Sequence, residues 1–189
     1  MSEKLNYYLS RTVEHIHRVQ NNMMKLCRDH RETLGLSDED VRICMHNVMK
    51  HDQSKFSPEQ FQPYIELTEY YRQRKALKNK DYDYQLGVRE LVDKAVEHHY
   101  QNENHHPERI KGLCAKWGIH EAVETACDLQ AMAQEFDEGT CRKYWEEKWK
   151  PTHANSFYDD YNWYHVEAWM NLAITCFEQD LNFQVQESK

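Results

Sequence analysis

The sequence predicts an all-α protein, and three observations lead to that prediction. Apolar residues recur at spacings of three and four along several long stretches, which is the pattern of one helix face. Only five Gly and four Pro occur in 189 residues, so there are few sites for the tight turns of a many-stranded sheet. No repeat, low-complexity tract or linker divides the chain. We therefore expect a single domain over residues 1–189, a helical bundle of about six or seven helices.

The first two helices are predicted from their apolar spacing and from their end signals. Apolar residues recur from Leu5 to about Leu34 and predict one long helix, which Gly35 would end. Ser37, followed by Glu39 and Asp40, is a suitable N-cap with an acidic first turn. The second helix would begin there and reach His51.

A third helix is expected after a short break, because Ser57-Pro58-Glu59 places Pro in a first helical turn. It would run to about residue 79, with an irregularity at Pro63. A fourth helix is predicted from about Tyr84 to Asn102, where a stripe of apolar residues leads to His99.

The second half of the chain predicts two more long helices. One covers roughly Ile119–Phe136, and the last covers about 157–182 and would pack on the rest. Between them lies the aromatic segment YWEEKW, residues 144–149. This segment and the last helix are candidates for a partner surface.

Composition excludes several classes of function. The net charge of −8 argues against duplex nucleic acid as a partner, because that binding rests on Lys and Arg that neutralise phosphates. No apolar stretch approaches the 18 residues of a membrane span. Six cysteines contain no C-x-x-C pair, and we expect reduced thiols and a cytoplasmic location.

Histidine is the informative residue type, because twelve of the 189 residues are His and they are clustered. A metal ion in a helical protein is usually held by imidazoles and carboxylates from several helices. Such residues fall on or beside the inward faces of four predicted helices. They are His15 or His17 on the first helix, the His51–Asp52 pair, His98, His99, His105 and His106 around the end of the fourth helix, and Asp128 on the fifth. An Asp in the apolar run around Asp128 is rarely buried without a partner, and a metal ion would satisfy it.

The order of these residues resembles the HD-domain superfamily of metal-dependent phosphohydrolases. The segment from Glu14 to Val19 matches an E-H-x-x-x-V context, and His51 follows His15 by 36 residues. The family often continues HD-x-G-K, whereas this chain has Ser54 in place of the glycine and keeps Lys55. The resemblance covers roughly residues 10–136. The motifs HD-x-SKFSPEQF-x-x-Y, HH-x(5)-HHPE and D-L-x-AM are more narrowly similar to a small HD-like family of phages, bacteria and large DNA viruses.

The resemblance implies a set of metal ligands. His15, His51, Asp52 and Asp128 would hold one ion. HD proteins with two metals add histidines between the HD pair and the last Asp, and Asp52 would then be the bridging carboxylate. His99 continues the apolar stripe better than His98, while the sequence alone does not separate His105 from His106. We assign His105 to the metal and keep His106 as a catalytic residue.

The function implied by the resemblance is hydrolysis of a phosphate ester in a small phosphorylated or nucleotide-like substrate. One or two divalent ions are expected, and Mn, Fe, Co, Ni, Mg and Zn are not distinguished. Lys55 would contact the phosphate as a point charge. His106, or alternatively His98 if it is not a ligand, would protonate the leaving oxygen. The alternatives are an HD-type di-iron oxygenase and a non-catalytic helical interaction protein with a retained metal site. Assembly as a homodimer is left open.

Overall fold

Helices make up the regular secondary structure of the described residues, which are 2–110, 117–157 and 160–187 of the computed structural model. The α-helices are α1 (Glu3–Asp29), α2 (Arg31–Leu34), α3 (Asp38–Val48), α4 (Phe61–Tyr71), α5 (Val88–Asn102), α6 (Ile119–Glu135), α7 (Arg142–Tyr144), α8 (Lys150–His153) and α9 (Asp160–Glu187). Short 3-10 turns cover Gln53–Phe56, Pro107–Ile110 and Ala154–Ser156, and π-helical turns cover Arg72–Ala76 and Trp145–Trp149. The prediction of an all-α protein is confirmed.

The predicted first helix is divided in two at His30. This residue leaves the helical conformation, and its ring Nε2 lies 3.0 Å from Asp180 Oδ1. Gly35 then ends α2 with a φ of 67°, a left-handed conformation that glycine adopts at little steric cost. Ser37 begins α3 through a capping box: its hydroxyl accepts the Asp40 N–H, and the Asp40 carboxylate accepts the Ser37 N–H. Both end signals predicted from the sequence are confirmed.

The third and fourth helices both begin four residues later than predicted. Helix α4 starts at Phe61, so that Pro63 falls within its first turn, and α4 continues through it. A first-turn residue has no intrahelical N–H bond to lose, which explains the absence of the expected irregularity. Helix α5 starts at Val88, because Gly87 takes a φ of 81° immediately before it.

The two tryptophans of the aromatic segment YWEEKW lie in the interior, whereas Tyr144 is 51% exposed and the three charged residues between the tryptophans are exposed. Trp145 is fully buried and Trp149 is 7% exposed. The indole Nε1 of Trp145 donates a hydrogen bond to Asn171 Oδ1 at 3.0 Å. Both rings therefore belong to the core, and the partner surface expected from this segment and the last helix stays a prediction.

The described residues divide into two compact units, and the chain passes from one to the other after Glu14, after His51 and after Glu103. The first unit joins the start of α1, as far as Glu14, to Asp52–Glu103. In it α4 packs against α5. Its buried core consists of Tyr8, Tyr64, Ile65 and Ala95.

The second unit comprises His15–His51 and the chain from Asn104 onward. Helix α6 packs against both α3 and α9, and ten of its seventeen residues are buried. A helix buried on most of its circumference is the central helix of its unit. Polar groups on α6 therefore need partners inside the protein.

Two general expectations from the sequence concern membranes and thiols. Within the described ranges, no helix has both the length and the apolar run needed to cross a bilayer. Five of the six cysteines lie in the described residues, and these five are free thiols. Cys114 lies outside the described residues.

Candidate metal centre

The second unit brings three of the predicted ligands together. His15 on α1 is 6% exposed, and its Nε2 lies 3.0 Å from Oδ1 of Asp128 on α6. His51 is 1% exposed, and its Nε2 lies 3.9 Å from the same Asp128 oxygen. His17, the alternative to His15, is exposed on α1. The structure therefore selects His15 over His17 as the residue that reaches Asp128.

The chain places His51 inward by ending α3 three residues before it. The last helical residue is Val48, and the His51 N–H bonds to the Val48 carbonyl at 3.3 Å. This turn directs the ring into the interior, where its centroid lies 5.7 Å from that of His15. Three separate segments of the chain thus contribute the three donor groups.

Glu124 is a member of this cluster that the sequence reasoning missed. Its side chain is 3% exposed, and its Oε1 lies 3.0 Å from Nδ1 of His51 and 3.6 Å from Nδ1 of His105. Glu124 precedes Asp128 by four residues on α6, so both carboxylates lie on one helix face. That spacing, within the apolar run that singled out Asp128, was the signal available in the sequence.

His105 lies beside His51, with their ring centroids 4.1 Å apart. Its backbone carbonyl accepts a hydrogen bond from the Thr125 hydroxyl at 2.9 Å, which ties the loop to α6. His105 is 2% exposed. The loop histidine assigned to the metal therefore belongs to the buried cluster of the second unit.

The two carboxylates remain ionised despite their burial. Burial alone raises the pKa of Glu124, but its contacts with His105 and His51 outweigh this effect and lower the pKa to about 2. Burial also acts to raise the pKa of Asp128, and contacts with His15, followed by His51 and His105, hold it well below the usual range. Both groups therefore carry negative charge at neutral pH. A carboxylate that binds a cation needs this charge, and so does a carboxylate that accepts a hydrogen bond from a histidine ligand.

Two overlapping groups of three residues have donor atoms within 4.8 Å of one another: His15, His51 and Asp128, and His51, His105 and Glu124. Two ligands bound to one transition metal at roughly 2.1 Å lie about 3–4 Å apart, depending on the angle between them. The Asp128 distances of 3.0 and 3.9 Å to the two imidazoles agree with this requirement. These buried His, Asp and Glu side chains can hold a metal ion.

His106 lies at the edge of the second unit's cluster. Its ring centroid is 4.3 Å from that of His105, and its Nδ1 is 3.7 Å from Glu108 Oε2. Burial, followed by the proximity of His105, lowers the pKa of His106 to about 4. The role of His106 in protonating the leaving oxygen stays a prediction.

The first unit holds Asp52, Lys55 and His99 together. The Asp52 side chain is 1% exposed, and its Oδ2 lies 2.5 Å from the Lys55 ammonium. Its Oδ1 lies 3.3 Å from His99 Nε2. Asp52 adopts a φ of 60°, a left-handed conformation that Asp accepts more readily than most residues with a side chain.

Ser54 ties the turn after Asp52 to α5. Its hydroxyl lies 3.1 Å from His99 Nδ1 and 3.2 Å from Gln60 Oε1. The amide nitrogen of Gln60 in turn donates to His98 Nδ1 at 2.8 Å. Of the two histidines that end α5, His99 therefore contacts Asp52 and Ser54, whereas His98 contacts Gln60. The Ser54 hydroxyl thus helps to hold the His99 ring in place.

Each predicted site residue is thus placed within its own unit. His15, His51, His105 and Asp128 come together in the second unit, with His106 beside them. Asp52, Lys55 and His99 come together in the first unit. The assignment of Asp52 and His99 to the same ion as the other ligands stays a prediction.

The fold and the site define the class as an all-α protein with a buried imidazole–carboxylate cluster suited to a cation. The chain belongs to a family of unknown function, DUF5662, whose sequence model matches residues 4–173. No curated protein and no solved structure matches it.

Proposed function

We propose that the protein is a metal-dependent hydrolase that acts on a phosphate ester of a small phosphorylated or nucleotide-like molecule. One observation carries the proposal: the buried His15 and His51 and the partly exposed Asp128, from three separate segments, place their donor atoms within 4.8 Å of one another. The resemblance of the His, His-Asp and Asp order to HD phosphohydrolases supplies the reaction class.

The residues of the second unit have distinct roles in this proposal. His15 and His51 supply neutral imidazole donors, and Asp128 supplies the negative charge that offsets part of the charge of a cation. When bound, a divalent metal in such a site lowers the pKa of a bound water and polarises a phosphoryl oxygen. His15 and His51 are buried and the Asp128 side chain is 19% exposed. The low polarity around the two imidazoles strengthens their electrostatic effect, and the partly exposed carboxylate leaves the ion a side open to solvent and substrate.

Lys55 is proposed as the group that contacts the substrate phosphate. Its side chain is 20% exposed, and its ammonium pairs with a buried Asp52. This pairing holds the lysine in one place, while two of its three N–H donors can point elsewhere. Part of the ammonium's hydrogen-bonding capacity is therefore left for an incoming anion.

The proposal is tested by elemental analysis of protein purified without chelators, followed by phosphate release from a panel of phosphoesters and nucleotides. The matched variants are Asp128→Asn, which removes the proposed ligand charge, and Asp137→Asn, the same change just beyond α6. We expect wild type and Asp137→Asn to bind a divalent metal and release phosphate, and Asp128→Asn to do neither. Metal binding without phosphate release from any member of the panel would contradict the hydrolase.

The di-iron oxygenase remains a second candidate because His105 is one more buried imidazole than the three-residue set requires. Its ring lies directly beside that of His51. Two irons per chain together with oxygen consumption would favour this candidate. A divalent metal other than iron together with phosphate release would favour the hydrolase.

A further inference from the structure

We propose that Glu124 is a positioning residue that fixes the tautomer of His51 and thereby presents its Nε2 to the cation. The inference rests on the proposed metal site, and it assigns a role to a residue outside the ligand set. It is based on the observation that the two nitrogens of the His51 ring face different carboxylates. Nδ1 of His51 faces Glu124 at 3.0 Å, and Nε2 faces Asp128 at 3.9 Å.

The direction of the His51–Glu124 hydrogen bond follows from simple chemistry. An ionised carboxylate has no proton to donate, so the proton between these two atoms belongs to His51 Nδ1. An imidazole that binds a metal ion is neutral and has only one N–H. The lone pair of His51 is therefore on Nε2, the atom that faces Asp128 and that would bind the ion.

The geometry favours positioning over direct ligation by Glu124. The oxygen that contacts His51 also lies 3.6 Å from Nδ1 of His105, so a single carboxylate oxygen faces both rings on their Nδ1 side. A nitrogen that carries the bonded proton cannot also bind a metal. The other oxygen, Oε2, is buried and has no hydrogen-bond partner in the described residues, which makes direct ligation the outcome that the experiment must exclude.

Partners of this kind orient ligand histidines in metalloproteins and contribute roughly 10–100-fold to metal affinity. The test uses Glu124→Gln, which keeps the size of the side chain and removes its charge. Glu121→Gln is the matched control on the same helix, because Glu121 caps the Gly118 N–H and glutamine serves equally well in that position. Co(II) is the probe, since its affinity and its visible absorption spectrum are measured in the same titration.

We expect Glu124→Gln to bind Co(II) about 10–100-fold more weakly than wild type, with the same stoichiometry and the same absorption spectrum. Glu121→Gln should titrate like wild type. Unchanged affinity in Glu124→Gln would overturn the inference. A changed spectrum or stoichiometry would also overturn it, since Glu124 would then be a ligand itself.

A second measurement on the metal-free wild-type protein keeps the inference independent of the variant's folding. Nitrogen-15 NMR of the histidine side chains reports which ring nitrogen carries the proton. His51 should show a protonated Nδ1 and an unprotonated Nε2. The reverse tautomer would refute the role of Glu124, whereas a wild-type protein that shows the expected tautomer but binds no metal would refute only the proposed metal site.

Discussion

Nε2 of His15 lies 3.0 Å from Oδ1 of Asp128, and this contact joins the first helix of the chain to α6 within the second unit. His17, two residues later on the same helix, is exposed. A matched pair of histidines therefore lies on one helix, and only one of them reaches the carboxylate.

Replacing His15 by Ala should remove metal binding, and replacing His17 by Ala should not. A residue that only orients a ligand contributes roughly 10–100-fold to metal affinity. The loss of affinity in His15→Ala should exceed this, because the substitution removes a donor atom. Isothermal titration with Mn(II) or Co(II) measures both variants. Equal affinities for His15→Ala and His17→Ala would show that the cluster is not the site.

Replacing Lys55 by Ala should weaken catalysis without changing the metal content. A hydrogen bond from a charged donor is worth about 1.5–3 kcal/mol, so kcat/KM for the best substrate of the panel should fall roughly 10- to 100-fold. Lys94→Ala, an exposed lysine on α5 of the same unit, is the control. If kcat/KM is unaffected by the loss of Lys55, this lysine does not contact the phosphate.

Replacing Ser37 by Ala should lower the free energy of unfolding by about 1 kcal/mol, since α3 loses the hydroxyl that caps it. Urea denaturation measures this change. Ser10→Ala is the control, because Ser10 lies inside α1 and caps nothing. A destabilisation by Ser10→Ala as large as that by Ser37→Ala would argue against a capping effect.

Asp40, the other residue of the capping box, should make the free energy of unfolding depend on pH. Hydrogen bonds from the Ser37 side chain and backbone, with a further one from His120, lower the pKa of Asp40 to about 2. A carboxyl whose pKa is lower in the folded protein stabilises it above its unfolded pKa near 3.8, and this contribution is lost as the pH falls towards 2. The stability difference between wild type and Asp40→Asn should therefore be constant above pH 5 and shrink below pH 4. A difference that grows on acidification would contradict this assignment.

The fold was predictable from the sequence because apolar spacing and end signals act locally. Gly35 and Ser37 end and begin helices through their own backbone and side-chain chemistry. The start of α4 was missed because a Pro in a first turn is compatible with several helix starts. The start of α5 was missed because it depends on the positive φ of Gly87, and the presence of a glycine in the sequence does not show which backbone angle it adopts.

The site was predictable in its residue types but not in all of its members. His15, His51 and Asp128 follow from sequence order and resemblance. Glu124 was overlooked because a glutamate on a helix is usually exposed, and its burial depends on the packing of α6 against other helices of its unit. The four-residue spacing from Asp128 places Glu124 on the same helix face, but it does not by itself show that this face of α6 is buried at Glu124.

The four-residue separation of Glu124 and Asp128 also limits how this gene segment can change. Each residue turns an α-helix by about 100°, so one codon gained or lost between positions 124 and 128 would rotate the two carboxylates onto different faces. One imidazole would lose its acidic neighbour and the other would keep it. We therefore expect length variation among homologous sequences to fall in the loops around α6, and never between these two positions.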